Sequence, residues 1–175
     1  MTIIPRSKGS LGFAQYLPDE VSLYTKEQLV DLVKVALGGR IAESIFFKTV
    51  TTGASDDIKK VTQYTTGMVH SYGMTDMGVV SYSSLGNEYV KSFSNATQEK
   101  LDAEVRSIVD SCYKEMEELL TEKKDLIEAL AEELLSKETL NLSQIMKVLG
   151  DRPFPLKESV KKYLGELEER LAEDA

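Results

Sequence analysis

The chain has 175 residues, 42% hydrophobic and 29% charged, a balance that suits one soluble globular domain long enough to bury a core. Its net charge of -8 argues against a nucleic-acid partner, which needs a basic surface, and against adsorption to an anionic membrane. The sequence holds no apolar run of about 18 residues, so no direct membrane span is expected, and its single cysteine, Cys112, excludes an internal disulfide and a cysteine-rich zinc site.

In chain order, "MTIIPR" and "LGFAQYLP" read as a small β hairpin or sheet edge, with Pro5 and Pro18 confined to ends or edges. Thr25, with Gln28 three residues on, has the spacing of a capping box. The helix that follows repeats Leu29, Val33, Leu37, Ile41 and Ile45 every four residues and is apolar on most sides, which predicts the most buried helix. Gly38 and Gly39 inside it cost about 1 kcal/mol each against Ala, which predicts a kink or a close approach of another backbone. From Asp56 a second helix carries Ile58, Val61, Thr65, Met68, Val69 and Tyr72 on one face and stops at Gly73. "MGVVSYSS" is expected to be an extended strand and "LGNEYVKS" a polar surface loop.

Ser94 or Asn95 is expected to cap a long helix whose inner face runs from Leu101 through Val105, Ile108, Val109, Cys112 and Met116 to Leu119 and Leu120. Its place in that stripe predicts a buried, inert Cys112. A second amphipathic helix with Leu126, Ile127, Leu130, Leu134 and Leu135 should return as an antiparallel hairpin, the break falling near "TEKKD". Ser143 is expected to cap a short helix, and "DRPFP" to close the body. Residues 156–175 read as a charged helical tail with Val160, Leu164, Leu167 and Leu171 at coiled-coil spacing, marginal by itself and suited to a partner helix.

The candidate chemistry is sparse. The sequence contains neither a Walker A motif nor an HExxH motif, and with His70 as its only histidine it cannot contain the latter. His70 alone reads as structural or solvated. A catalytic zinc needs three protein ligands and an open position, which one imidazole and a carboxylate do not supply. Asp56 and Asp57, opening a helix after "TTGAS", read from physics alone as first-turn carboxylates that accept free N–H groups and complement the helix dipole. Glu43, by itself, reads as a surface acid.

The ordered words "TIIPR", "LGFAQYLP", "YTKEQL", "LGGRIAE", "TTGASDDIKKVT", "YGMTD" and "VSY", continued by "EVRSIVDSCYKEMEELL", "LLSKETL" and "VLGDRPFP", resemble the peptidase domain of FtsH-type ATP-dependent zinc metalloproteases. The wording is most similar to the paraplegin-like mitochondrial m-AAA branch, whose peptidase faces the matrix side of the inner membrane. The resemblance implies a mainly α fold, a peptidase-domain fragment with a small N-terminal β element and a long helical hairpin. It covers a peptidase-like domain at residues 1–155, with residues 156–175 left as the tail.

In that family a hexameric ring couples membrane helices and an AAA ATPase to the peptidase for protein quality control. Zinc is held by two HExxH histidines and an aspartate, and the HExxH glutamate is the general base. The motif's spacing makes Asp57 the position matching the third zinc ligand, and Glu43 matches a supporting acid near the site. "LGGRIAES" departs from many relatives in having Ser44 where they carry a second Glu.

The family's HExxH helix precedes the strand at which this sequence opens. The chain alone is therefore expected to bind no zinc and to be inactive, with Asp57 serving as a helix-cap carboxylate. The first reading is a catalytically inactive remnant acting as a structural or interaction subunit of a larger mitochondrial assembly, with homologous AAA protease subunits or a membrane complex as partners. The alternative is the C-terminal part of an active ATP-dependent zinc metalloendopeptidase whose HExxH and AAA modules lie on another segment.

Overall fold

The first helix begins where its capping box places it. Thr25 Oγ1 accepts the Gln28 N–H at 3.3 Å while Gln28 Oε1 accepts the Thr25 N–H at 2.9 Å, so two donors at the helix start are satisfied reciprocally. This is a computed structural model, and it describes residues 1–4, 12–15, 23–83, 93–150, 154–155, 160–163 and 165. The chain is mainly helical and divides into two compact units, Val21–Glu122 and Met1–Glu20 with Lys123–Ala175.

In the first unit, α1 (Lys26–Phe47) buries the expected stripe Leu29, Val33, Leu37 and Ile41. It packs against α2 (Ser55–Thr66) through Val61, and against α3 (Asn95–Glu122) through Ile108, Val109, Cys112 and Met116. Although α1 is apolar on most sides, Val35 is 66% exposed and Phe47 is exposed too. The helix ends at Lys48, which adopts the left-handed conformation (φ 53°) and donates its N–H to Ser44 O at 3.1 Å.

The two glycines inside α1 do not break it. Among the described residues nothing lies within 4 Å of a Cβ placed on Gly39, and only Met116 Cε, at 4.0 Å, approaches one placed on Gly38. No close backbone is found there among the described residues. Gly39→Ala is therefore expected to stabilise the chain by about 0.5–1 kcal/mol in urea unfolding, because it removes backbone entropy without a clash. A loss of stability would show that a Cβ at this position meets something after all.

The α2 face follows the expected register through Val61, Thr65, Met68 and Val69, all buried, but Ile58 and Tyr72 are exposed. The departure at Tyr72 has a local cause. Residues Gly67–Ser71 form a π turn, closed by Tyr72 N–H to Gly67 O at 3.0 Å, and the added residue swings Tyr72 off the buried face. Its ring lies over Gly67, where a Cβ would stand 2.8 Å from a ring carbon. Gly73 ends the helical run with φ +60°, and a side chain there would meet the Val79 backbone at 3.1 Å.

The strand expected from "MGVVSYSS" is not formed by its described residues, 77–83, which are irregular, with a turn at Met77 and bends at Val79 and Ser83. The Tyr82 and Ser83 amides donate instead to His70 O, at 2.6 and 3.2 Å. A hydroxyl at a helix start, rather than a strand partner, organises the next element: Ser94 Oγ accepts the Thr97 N–H and opens α3. The "LGNEYVKS" loop lies outside the described residues.

Lys34 on α1 and Glu115 on α3 form an ion pair at 2.7 Å, and Ser111 Oγ also donates to Glu115. The bond from Lys34, then that from Ser111, hold the Glu115 carboxyl below the usual carboxylate range; the same ion pair raises Lys34. A depressed carboxylate contributes stability above its unfolded pKa and loses it as pH falls through the folded value. Lys34 works on the other side, losing its contribution as pH rises through its raised value. Glu115→Gln is thus expected to flatten the acid limb of a stability-versus-pH curve slightly, an effect that shrinks in high salt because the pair is half exposed.

In the second unit, α4 (Lys124–Lys137) begins after the break at Lys123, inside "TEKKD" as expected. The short helix α5 (Leu142–Leu149) is capped by Asn141, not by Ser143. Asn141 has the extended backbone a cap requires, and Gln144, three residues on, returns a bond to its N–H at 2.9 Å. Ser143 sits already within the first turn and has Met146 in the corresponding place, which offers no such return bond.

The expected small N-terminal β element is reduced to two isolated antiparallel bridges, Thr2 with Phe13 and Thr2 with Thr139. Thr2 and Phe13 exchange both backbone bonds at 2.8 Å, and Met1 and Leu140 do so at 2.9 Å. Each contact involves too few consecutive residues to make a strand among those described. Residues 160–163 and 165 are helical. No helix among the described residues is long and apolar enough to cross a membrane.

Candidate functional site around Asp57

The buried stripe of α1 ends next to two charged side chains that face the following connection. Arg40 and Glu43 stand one turn apart on the helix, and between them they hold both backbone groups of Thr51. Glu43 Oε2 accepts the Thr51 N–H at 3.1 Å, and Arg40 Nη1 donates to Thr51 O at 3.1 Å. The guanidinium and carboxylate are themselves 3.9 Å apart. The bonds from Thr51, with Arg40 adding attraction, hold the Glu43 carboxyl below the usual carboxylate range. Glu43 is therefore a tether of the connection and not an unattached surface acid.

Thr51 is extended (φ -113°, ψ 179°), and its hydroxyl accepts the Gly53 N–H at 3.2 Å. A single 3-10 turn, Thr52–Ala54, then runs straight into α2, with the Ser55 N–H bonded to Thr52 O. Asp57 is the third residue of α2. The path from the tethered Thr51 to the Asp57 carboxylate thus passes only through residues in regular turns.

Asp56 and Asp57 differ in direction. Asp57 lies four and eight residues before Val61 and Thr65, both buried, so it stands at the head of the stripe that α2 turns toward the core. Its side chain is 44% exposed, against 85% for Asp56. Both carboxylates lie in the first turn of α2, as expected, but no side-chain capping bond forms at its start. Asp56 binds Lys59 at 2.8 Å and Asp57 binds Lys60 at 2.9 Å, each one turn ahead on the same helix. Lysine partners three residues on compete for the carboxylates that would otherwise fold back onto the N–H groups.

His70 lies in the π turn, half-buried, and among the described residues no three of His, Cys, Asp and Glu come together as a possible metal site. A half-exposed carboxylate fits the role of one zinc ligand; a complete zinc site is not made by the described residues. Cys112 is buried in the α1–α2–α3 core, and burial pushes its thiol pKa up, as suits the inert role expected of it. Reading of the sequence missed Arg40 and Thr51, although Arg40 stands three residues before Glu43 in "GGRIAE", a spacing that places both on one side of a helix.

Residues 1–148 match Peptidase family M41. Over 155 residues (88% of this chain, 19% of the relative) the chain is 44% identical to the mitochondrial ATP-dependent zinc metalloprotease FTSH 10 of Arabidopsis thaliana. It is 45% identical over 168 residues (94% and 22%) to the mitochondrial inner membrane m-AAA protease component YTA10 of Saccharomyces cerevisiae. It is 40% identical over 160 residues (88% and 23%) to the ATP-dependent zinc metalloprotease FtsH of the bacterium Rhodothermus marinus. The chain therefore spans about a fifth of the length of the curated relatives it matches.

Proposed function

This chain belongs to peptidase family M41, and from that premise we propose that it is the part of an ATP-dependent zinc metalloendopeptidase that contributes Asp57 as a metal ligand. The two histidines and the general base would come from residues outside this sequence. The observation that carries the proposal is the placement of Asp57, at the inward-turned head of α2, on a helix start tethered to α1 through Thr51. Glu43 acts in support, holding the connection rather than touching the metal. Residues 1–155 make up the peptidase part, and residues 156–175 a charged tail suited to contact with another subunit.

The names of the relatives support the rest of the reading. Two of the proteins named above are mitochondrial, and one is described as a component of an inner-membrane m-AAA protease. We assign this chain to mitochondria, on the matrix side of the inner membrane, among homologous subunits of an oligomeric ring engaged in protein quality control.

The test is the protein isolated gently from its native source, with its intact mass, zinc content and ATP-dependent cleavage of unfolded protein measured together. A much heavier chain that holds zinc and cleaves is expected. A 19.5 kDa polypeptide without zinc inside a large complex would overturn this reading in favour of the inactive structural subunit.

A further inference from the structure

We propose that Arg40 is a positioning residue for the Asp57 carboxylate, acting through the Thr51 peptide groups. The inference rests on the reading of Asp57 as a metal ligand and adds to it the part that sets where the ligand stands.

The geometry is that of a bracket. A single residue, Thr51, has its N–H bonded to Glu43 and its C=O bonded to Arg40, both at 3.1 Å. The two side chains come from one face of α1, within three residues of each other, and Ile41 between them is fully buried in the core. Their bases are therefore rigid. Fixing the N–H alone would leave the peptide plane after Thr51 free to rotate. Fixing the C=O as well holds the direction in which the chain leaves the clamp, because the peptide unit is planar.

Beyond the clamp the chain has little freedom left. The Thr51 hydroxyl holds Gly53, the Ser55 N–H closes the 3-10 turn on Thr52, and α2 starts there. A change of orientation at Thr51 is thus carried to Asp57, six residues on, with no flexible joint to absorb it. Glu43 alone does not suffice. Arg40, 3.9 Å away, offsets its negative charge and supplies the second bond, and a guanidinium has the donors to face both the carbonyl and the carboxylate. Supporting contacts of this kind are worth about 10–100-fold in metal affinity when removed.

The experiment uses the full-length native protein, as wild type, Arg40→Ala and Arg40→Lys, with zinc affinity measured by chelator competition and thermal unfolding measured alongside. Hydrogen exchange at the Thr51 and Gly53 amides is followed in the same samples. Arg40→Ala is expected to weaken zinc binding by about 10–100-fold and to speed exchange at Thr51, with the unfolding midpoint nearly unchanged. Arg40→Lys, which keeps one donor and the charge, is expected to recover part of both. A zinc-loaded wild type with unchanged affinity in Arg40→Ala overturns the clamp and leaves the metal reading standing. A wild type that holds no zinc overturns both.

Discussion

Ile41→Ala is expected to destabilise the chain by about 2–5 kcal/mol, the range for truncating a fully buried aliphatic side chain. Ile41 has no solvent exposure and lies in the core shared by Val33 and Leu37 of α1, Val61 of α2 and Cys112 of α3. Three helices border the space its methylenes would vacate, and each is held elsewhere by its own ladder, so collapse into the cavity is restricted. In a unit of this size the loss corresponds to a drop in Tm of about 10 °C or more. Val35→Ala on the same helix is the control: its side chain is exposed, and the change should stay within about 0.5 kcal/mol. Guanidinium unfolding of the two variants gives the comparison. Near-equal losses would contradict the packing described for α1.

That contrast also shows what local pattern conveys. The four-residue repeat from Leu29 to Ile41, the Thr25–Gln28 capping box, the stop at Gly73 and the break at Lys123 are all signals within a few residues of the structure they specify. Each was legible for that reason. The features that were not legible depend on partners distant in the chain or on a choice between similar local options. Thr2 meets Thr139, and Met1 meets Leu140, across 137 and 139 residues, and no pattern near Thr2 announces that. The π turn at Gly67 needs the Tyr72 ring to settle over a glycine, which a regular 3.6-residue count cannot anticipate. Asn141 and Ser143 are both good capping residues two positions apart, and only Asn141 has a Gln three residues on to complete the box.

The same division runs through the site. "TTGASDD" drew attention to Asp57 by likeness to a family motif, whereas its inward placement, at the head of the Val61–Thr65 stripe, follows from helix periodicity and was available without it. Glu43 by itself reads as a surface acid, and its contact with the connection is not in the local pattern. That it holds the Thr51 N–H depends on how α1 and the connection pack, and eight residues separate them in the chain.

Asp57→Asn in the full-length protein is expected to abolish zinc binding and reduce peptide cleavage by more than about 100-fold, beyond the cost of losing an outer contact. The amide keeps the shape of the side chain and removes the anionic donor. Asp56→Asn should leave both properties unchanged, since that side chain is 85% exposed and lies one position round the helix, away from the buried stripe. Stability separates this outcome from the plain structural one. The Asp57–Lys60 pair is half exposed, so losing it should cost less than about 1 kcal/mol. If Asp57 served the helix start instead, the substitution would cost about 0.5–2 kcal/mol of stability and leave zinc in place. Zinc content and thermal unfolding of the same two variants therefore decide between ligand and cap. Retained zinc in Asp57→Asn would remove the carboxylate from the metal site altogether.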